Sequence, residues 1–132
     1  MKITPVLYLD KIEDSLPFWT DRLGFTAGPS VPHGDALGFV ILNRSDAEVM
    51  LQTWASVEAD APALVPGLQR VAAGSSLFVE VDDIAPFKAR FSVEDIVLPE
   101  RVTFYGMREI AVTAPSGHVV MLAAKEPAGD SA

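Results

Sequence analysis

The sequence predicts an α+β domain made of two βαβββ modules, and two duplications carry that prediction. The first is a tripeptide: Val49-Met50-Leu51 in "AEVMLQ" returns as Val120-Met121-Leu122 in "HVVMLAA", 71 positions later. The second is the opening of each half. Adding 72 carries Thr4, Val6, Leu7, Leu9, Asp10 and Ile12 onto Ser76, Phe78, Val79, Val81, Asp82 and Ile84. Agreement at both ends of a module, at nearly one offset, marks an internal repeat.

Each element follows from local pattern. "ITPVLYL" (3–9) reads as a strand, and Asp10 with Glu13 resembles a capping box at a helix start. Ile12, Leu16, Trp19 and Leu23 form one helical stripe ended by Gly24, with Pro17 inside it predicting a kink or a lost hydrogen bond. "GFTAGPSVPHGDA" (24–36) reads as a loop or irregular edge strand. "LGFVIL" (37–42) and "EVMLQTW" (48–54) read as strands joined by the turn "NRSD". Residues 55–75, rich in Ala and Pro, form a connector with a short helix. The order then repeats: strand "SLFVEV" (76–81), helix "DDIAPFKARF" (82–91) capped by Asp82, and strands 95–105, 107–113 and 118–124. Gly117 is available for positive φ in the last hairpin. The expected organisation is one domain over 1–126, with modules 3–54 and 76–124 and a disordered tail at 127–132.

Composition narrows the function. Eighteen acidic against ten basic side chains give a net charge of −8, which argues against nucleic acid, whose binding depends on Lys and Arg neutralising phosphates. An acidic surface attracts cationic ligands. It also simply keeps a protein soluble, and charge by itself favours that second reading. The absence of cysteine excludes disulfides, zinc–thiolate sites and thiol nucleophiles and permits a reducing compartment. No apolar run approaches the roughly 18 residues of a membrane span, and "MKITPVLYLDKIED" does not read as a signal peptide. A cytoplasmic protein is the expectation.

Strand alternation sorts the side chains into two faces. Pro5, Leu7 and Leu9 oppose Thr4, Val6 and Tyr8, while Val49, Leu51 and Thr53 oppose Met50, Gln52 and Trp54. In the second module Leu77, Val79 and Val81 oppose Ser76, Phe78 and Glu80, and Val120, Leu122 and Ala124 oppose Val119, Met121 and Ala123. The first set of each pair is small and aliphatic and suits burial. The other mixes aromatic, polar and Met side chains, as a pocket for a largely apolar ligand requires, although a second core face would read the same way.

With the repeat and these strands, the chain resembles the vicinal-oxygen-chelate superfamily of glyoxalase I, bleomycin-resistance proteins and extradiol dioxygenases. "PFWTDRLGF" (17–25) is similar to the helix of bleomycin-resistance proteins, and "YGMREIAV" with "APSGHVVML" to their "WGxREF…DPDGN" ending, apart from Ala114 where Asp is usual. The resemblance covers residues 3–126. It implies a curved, cup-shaped mixed sheet and a homodimer. In the superfamily's metalloenzymes the ligands come from the first and closing strands of each module. Those positions here are Thr4, Met50, Ser76 and Met121. Thioethers and hydroxyls are poor donors for a hard or borderline divalent cation, so no metal, no cofactor and no catalytic residue is expected.

The candidate ligand-binding residues are therefore Tyr8, Phe39, Met50, Gln52, Trp54, Phe78, Glu80, Phe104, Glu109 and Met121. The aromatic residues offer stacking area, Gln52 an orienting hydrogen bond, and Glu80 and Glu109 a pair of carboxylates for a cationic group. A plainer reading pairs those carboxylates with Arg90, Arg101 or Arg108. His33 in "SVPHGD" reads as an exposed loop residue and His118 as a turn residue. Three functions stand side by side: a metal-free binder of an amphipathic, cationic small molecule; a divalent-metal lyase or dioxygenase with displaced ligands Glu80, Glu109 and His33; and a dimerising remnant that binds little.

Overall fold

The computed structural model describes residues 1–71 and 74–127, so the expected tail beyond 127 and two connector residues lie outside the described residues. The chain divides into two compact units at Gly74/Ser75. The first contains β1 (Val6–Leu9), α1 (Ile12–Pro17), β2 (Thr26–His33), β3 (Ala36–Arg44), β4 (Ala47–Thr53), α2 (Trp54–Asp60) and α3 (Val65–Val71). The second contains β5 (Ser76–Glu80), α4 (Ala85–Lys88), β6 (Ile96–Val102), β7 (Met107–Thr113) and β8 (Val119–Lys125). The sheets run β1-β4-β3-β2 and β5-β8-β7-β6. In each, the module's first strand lies parallel to its last and the other pairs are antiparallel. The fold is α+β with two βαβββ modules, as the repeat predicts. Among the described residues no helix is long and apolar enough to cross a membrane.

In the first unit one sheet face is core. Leu7, Leu9, Val40, Leu42, Val49 and Leu51 are buried together with Ile12, Phe18, Trp19 and Leu23 from the helical segment, which packs on β3 and β4. Burying each such side chain contributes roughly 1.5–3 kcal/mol. Pro17 acts as expected, but through a specific device. It ends the α-helical run, and Phe18–Arg22 continue as one π turn closed by the Leu23 N–H donating to the Phe18 carbonyl at 3.2 Å. The wider turn brings Phe18 and Trp19 inward together, with Trp19 edge-on to Phe18 and to Phe25 at centroid distances of 5.3 and 5.5 Å. Gly24, at φ +78°, then reverses the chain.

Several expected details are corrected. Asp10 is exposed and does not cap α1, whose N-cap is Lys11 with no side-chain cap bond. Glu13 turns away to accept the Leu37 N–H at 2.7 Å, so no capping box forms. Leu16 is only half-buried, because after the π turn Phe18 takes the inward position. Of the two readings of 24–36, the irregular edge strand holds: β2 (Thr26–His33) is broken by two register shifts where its prolines withhold donors. The connector holds two α-helices and a 3₁₀ turn rather than one short helix. The helix expected over 82–91 is only α4, since Asp83 rather than Asp82 accepts the Ala85 N–H, at 3.0 Å, and starts it late. The edge of the second sheet is tied by ion pairs. Glu100 bonds Lys88 at 2.9 Å and Arg108 at 2.6 Å, and Arg108 also holds Glu126.

Two outcomes test this packing. Gly38 is buried on β3, and a Cβ there would lie 2.7 Å from the His33 Cβ and 3.1 Å from the Ser56 Cβ. Neither neighbour is the end of a flexible side chain, so Gly38→Ala should lower stability by about 1–3 kcal/mol in a denaturant titration. The Leu37 N–H holds the Glu13 carboxyl below its ordinary pKa. A pKa lowered by folding stabilises fully above the unfolded value, about 4.3, and that gain is lost as pH falls through the folded value. Glu13→Ala should therefore melt below the wild type at pH 7, and the gap should narrow steadily under acid.

Candidate functional site

The face of the first sheet opposite the core stays half-exposed. Register sets its rows: Val6, Met50 and Ile41 lie side by side, and Tyr8, Gln52 and Phe39 form the next row. Trp54 was expected to end the strand on this face. Instead the chain turns at Thr53, whose hydroxyl accepts the Ser56 N–H at 3.1 Å, and Trp54 opens α2. It still reaches the row, stacking on Tyr8 with centroids 5.3 Å apart and planes tilted by 31°. At this centroid distance the two rings make a favourable aromatic pair. The Gln52 amide donates to the Ser56 hydroxyl at 3.2 Å, which fixes the side chain and leaves its carbonyl oxygen as an acceptor beside the rings. One row further, Thr4 donates to Glu48 at 3.1 Å, and Glu48 also pairs with Lys2 at 3.2 Å.

The corresponding face of the second sheet differs. Phe78 lies beside Met121 and then Ala111, with Phe78 half-exposed. Glu80, Ala123, Glu109 and Arg101 form the neighbouring row across β5, β8, β7 and β6. Glu80 is exposed, whereas Glu109 is 0% exposed. Ala111 and Ala123 are buried too, so this face is not open along its length. Arg101 donates from Nε to Glu109 Oε1 at 2.9 Å, and its Nη2 lies 2.8 Å from the same oxygen as an ion pair. The arginine pairing weighed for Glu109 thus holds, with Arg101. Phe104 is corrected: β6 ends at Val102, and Phe104 sits fully exposed in the turn before Gly106, edge-on to Tyr105.

The four positions named by the resemblance are placed as follows. Thr4 is committed to Glu48, and Met50 stands opposite Val6. Ser76 is exposed at the start of β5, and Met121 faces Phe78. Among the described residues of either unit no three His, Cys, Asp or Glu side chains converge. His33 ends β2, exposed. His118 packs half-buried in the last hairpin, 2.6 Å from the Ser116 hydroxyl, and burial lowers its pKa.

Comparison with solved structures decides the fold. A glyoxalase/bleomycin resistance protein/dioxygenase from Nocardioides superposes with a TM-score of 0.70 at 18% identity, over 98% of this chain and 85% of that one. The chain has the vicinal-oxygen-chelate fold. The bleomycin-binding protein of bleomycin-producing Streptomyces verticillus, solved with copper(II)-bleomycin, matches with a TM-score of 0.60 at 23% identity, over 96% and 97% of the two chains. TnmS3, an antibiotic-binding protein from Streptomyces sp. CB03234, matches with a TM-score of 0.62 at 17% identity, over 97% and 98%. No protein-family model and no curated protein matches the chain. Within this fold, the residues missed from sequence are Glu48 and Ser56. Glu48 shares parity with Met50 and Gln52, so alternation alone could have found it. Ser56 depended on the turn at Thr53.

The Arg101–Glu109 pair gives a direct test. Removing one partner leaves a buried carboxylate unpaired, which costs about 1–3 kcal/mol or more. Arg101→Ala should lower the urea midpoint accordingly, and adding Glu109→Gln should recover part of the loss.

Proposed function

We propose that the protein is a metal-free, non-catalytic binder of an amphipathic, cationic small molecule, acting as a homodimer in the cytoplasm. The observation that carries this reading is the Tyr8–Trp54 stack beside Phe39 and the anchored Gln52. A planar guest laid on these rings gains stacking area, and the Gln52 carbonyl orients a donor on it. Met50 supplies an adaptable apolar neighbour. The cationic preference rests on the net charge of −8 and on Glu48, Glu80 and Glu109 along the two faces. The antibiotic- and bleomycin-binding proteins that share the fold support a small-molecule role. The donor chemistry at Thr4, Met50, Ser76 and Met121 supports a metal-free one.

Titration of a panel of cationic aromatics against intrinsic fluorescence should quench Trp54, the half-buried tryptophan, while Trp19 stays silent in the core. Trp54→Phe should abolish the signal, and Trp54→Ala should weaken binding roughly two- to tenfold through the lost stacking. A panel that gives neither quenching nor a thermal shift overturns the proposal. Stoichiometric Ni, Zn, Mn or Fe in protein purified without chelator overturns its metal-free part.

A further inference from the structure

We infer that Glu48 is the head-group subsite on the open face of the first sheet. It takes the guanidinium of a guest whose aromatic body lies on Tyr8 and Trp54, and Lys2 fills it until that guest arrives. The inference rests on the small-molecule reading above and names the head group and length of the guest.

Alternation along β4 turns Glu48, Met50 and Gln52 to one face, and none of the three is buried. Register sets the row of each: Glu48 beside Asn43, Met50 between Val6 and Ile41, and Gln52 between Tyr8 and Phe39. Those neighbours are half-buried too, so the face is open from the carboxylate to the rings. Four residues of strand separate Glu48 from Gln52, a span of about 13 Å. A carboxylate stands at one end, a ring pair and an amide at the other, and Val6, Met50 and Ile41 lie between. That order matches a guest built as aromatic ring, apolar linker and terminal cation.

Glu48 already holds a cation. Its Oε1 accepts from the Thr4 hydroxyl at 3.1 Å and lies 3.2 Å from Lys2 Nζ. Thr4 fixes the carboxylate, whereas Lys2 is a replaceable partner. Its side chain is 66% exposed and it precedes β1, and an ion pair of this kind contributes only about 0–1 kcal/mol. Both contacts end on one oxygen. A planar guanidinium pairs with both oxygens of a carboxylate at once, which an ammonium, a point charge on a flexible stem, does not. It therefore displaces Lys2, while a neutral hydroxyl does not. The Glu48 side chain is 18% exposed, and this partial screening from water strengthens the pair that forms.

The test titrates three series calorimetrically into the full chain: 1-naphthyloxyalkyl guanidines, the matching primary amines and the matching alcohols, each from ethyl to octyl. Comparing head groups at equal length cancels the apolar gain of the linker. In the wild type the octyl guanidine should bind about tenfold more tightly than the octyl alcohol, with the amine between them. At ethyl, where the head cannot span the face, the three should bind about equally. Glu48→Gln keeps an acceptor for Thr4 and should bring the three series together at every length. Lys2→Ala removes the internal competitor and should tighten the octyl guanidine and amine about two- to fivefold while leaving the alcohol unchanged. No head-group preference at octyl, a preference already present at ethyl, one that survives Glu48→Gln, or one indifferent to Lys2→Ala overturns the subsite and leaves the stacking function standing. Binding of no homologue in any series overturns both.

Discussion

Parallel pairing between the first and last strands of each module is the constraint on which both sheets depend. Two parallel neighbours cannot be joined by a tight turn, so a crossover must lie between them, and here it comprises a helix and two antiparallel strands. That requirement explains the duplicated tripeptide. Met50 pairs with Val6 in one sheet and Met121 with Phe78 in the other, so Val-Met-Leu is the segment that closes each crossover against its opening strand. The outer residues of the tripeptide, Val49 and Leu51 or Val120 and Leu122, are buried, and the central methionine faces the other way.

The two units put one topology to different physical uses. In the first, the core face carries the large aromatic residues of the π turn, which leaves the opposite face as a half-exposed aromatic and amide surface. In the second, β7 is buried on both faces, and the cost of burying Glu109 is offset only on one oxygen. A surface of stacked rings tolerates many planar guests, because every such guest has a π-face.

Much of this was legible in the chain. Alternation in β1, β4, β5 and β8 assigned Tyr8, Gln52, Phe78 and Glu80 to their faces, since period 2 leaves no freedom once a strand exists. What eluded reading were events at element ends. Asp10 looked like a cap, yet Glu13 found a better donor in the Leu37 N–H, 24 residues away. Trp54 looked like strand and Phe104 like sheet face. In each case the chain had already turned, at Thr53 through a side-chain cap and at Thr103 through the β6–β7 turn. Such ends are set by single hydrogen bonds whose partners no window of sequence reveals.

By itself the sequence determined the repeat, the strand faces and the poor metal-donor character of Thr4, Met50, Ser76 and Met121, because these follow from residue identity and local periodicity. Only the tertiary structure decided which donor each acceptor found. It placed Trp54 on Tyr8 and gave Arg101 to Glu109. Pairings across strands depend on register and on the reach of long side chains, and those are properties of the folded backbone rather than of neighbouring letters.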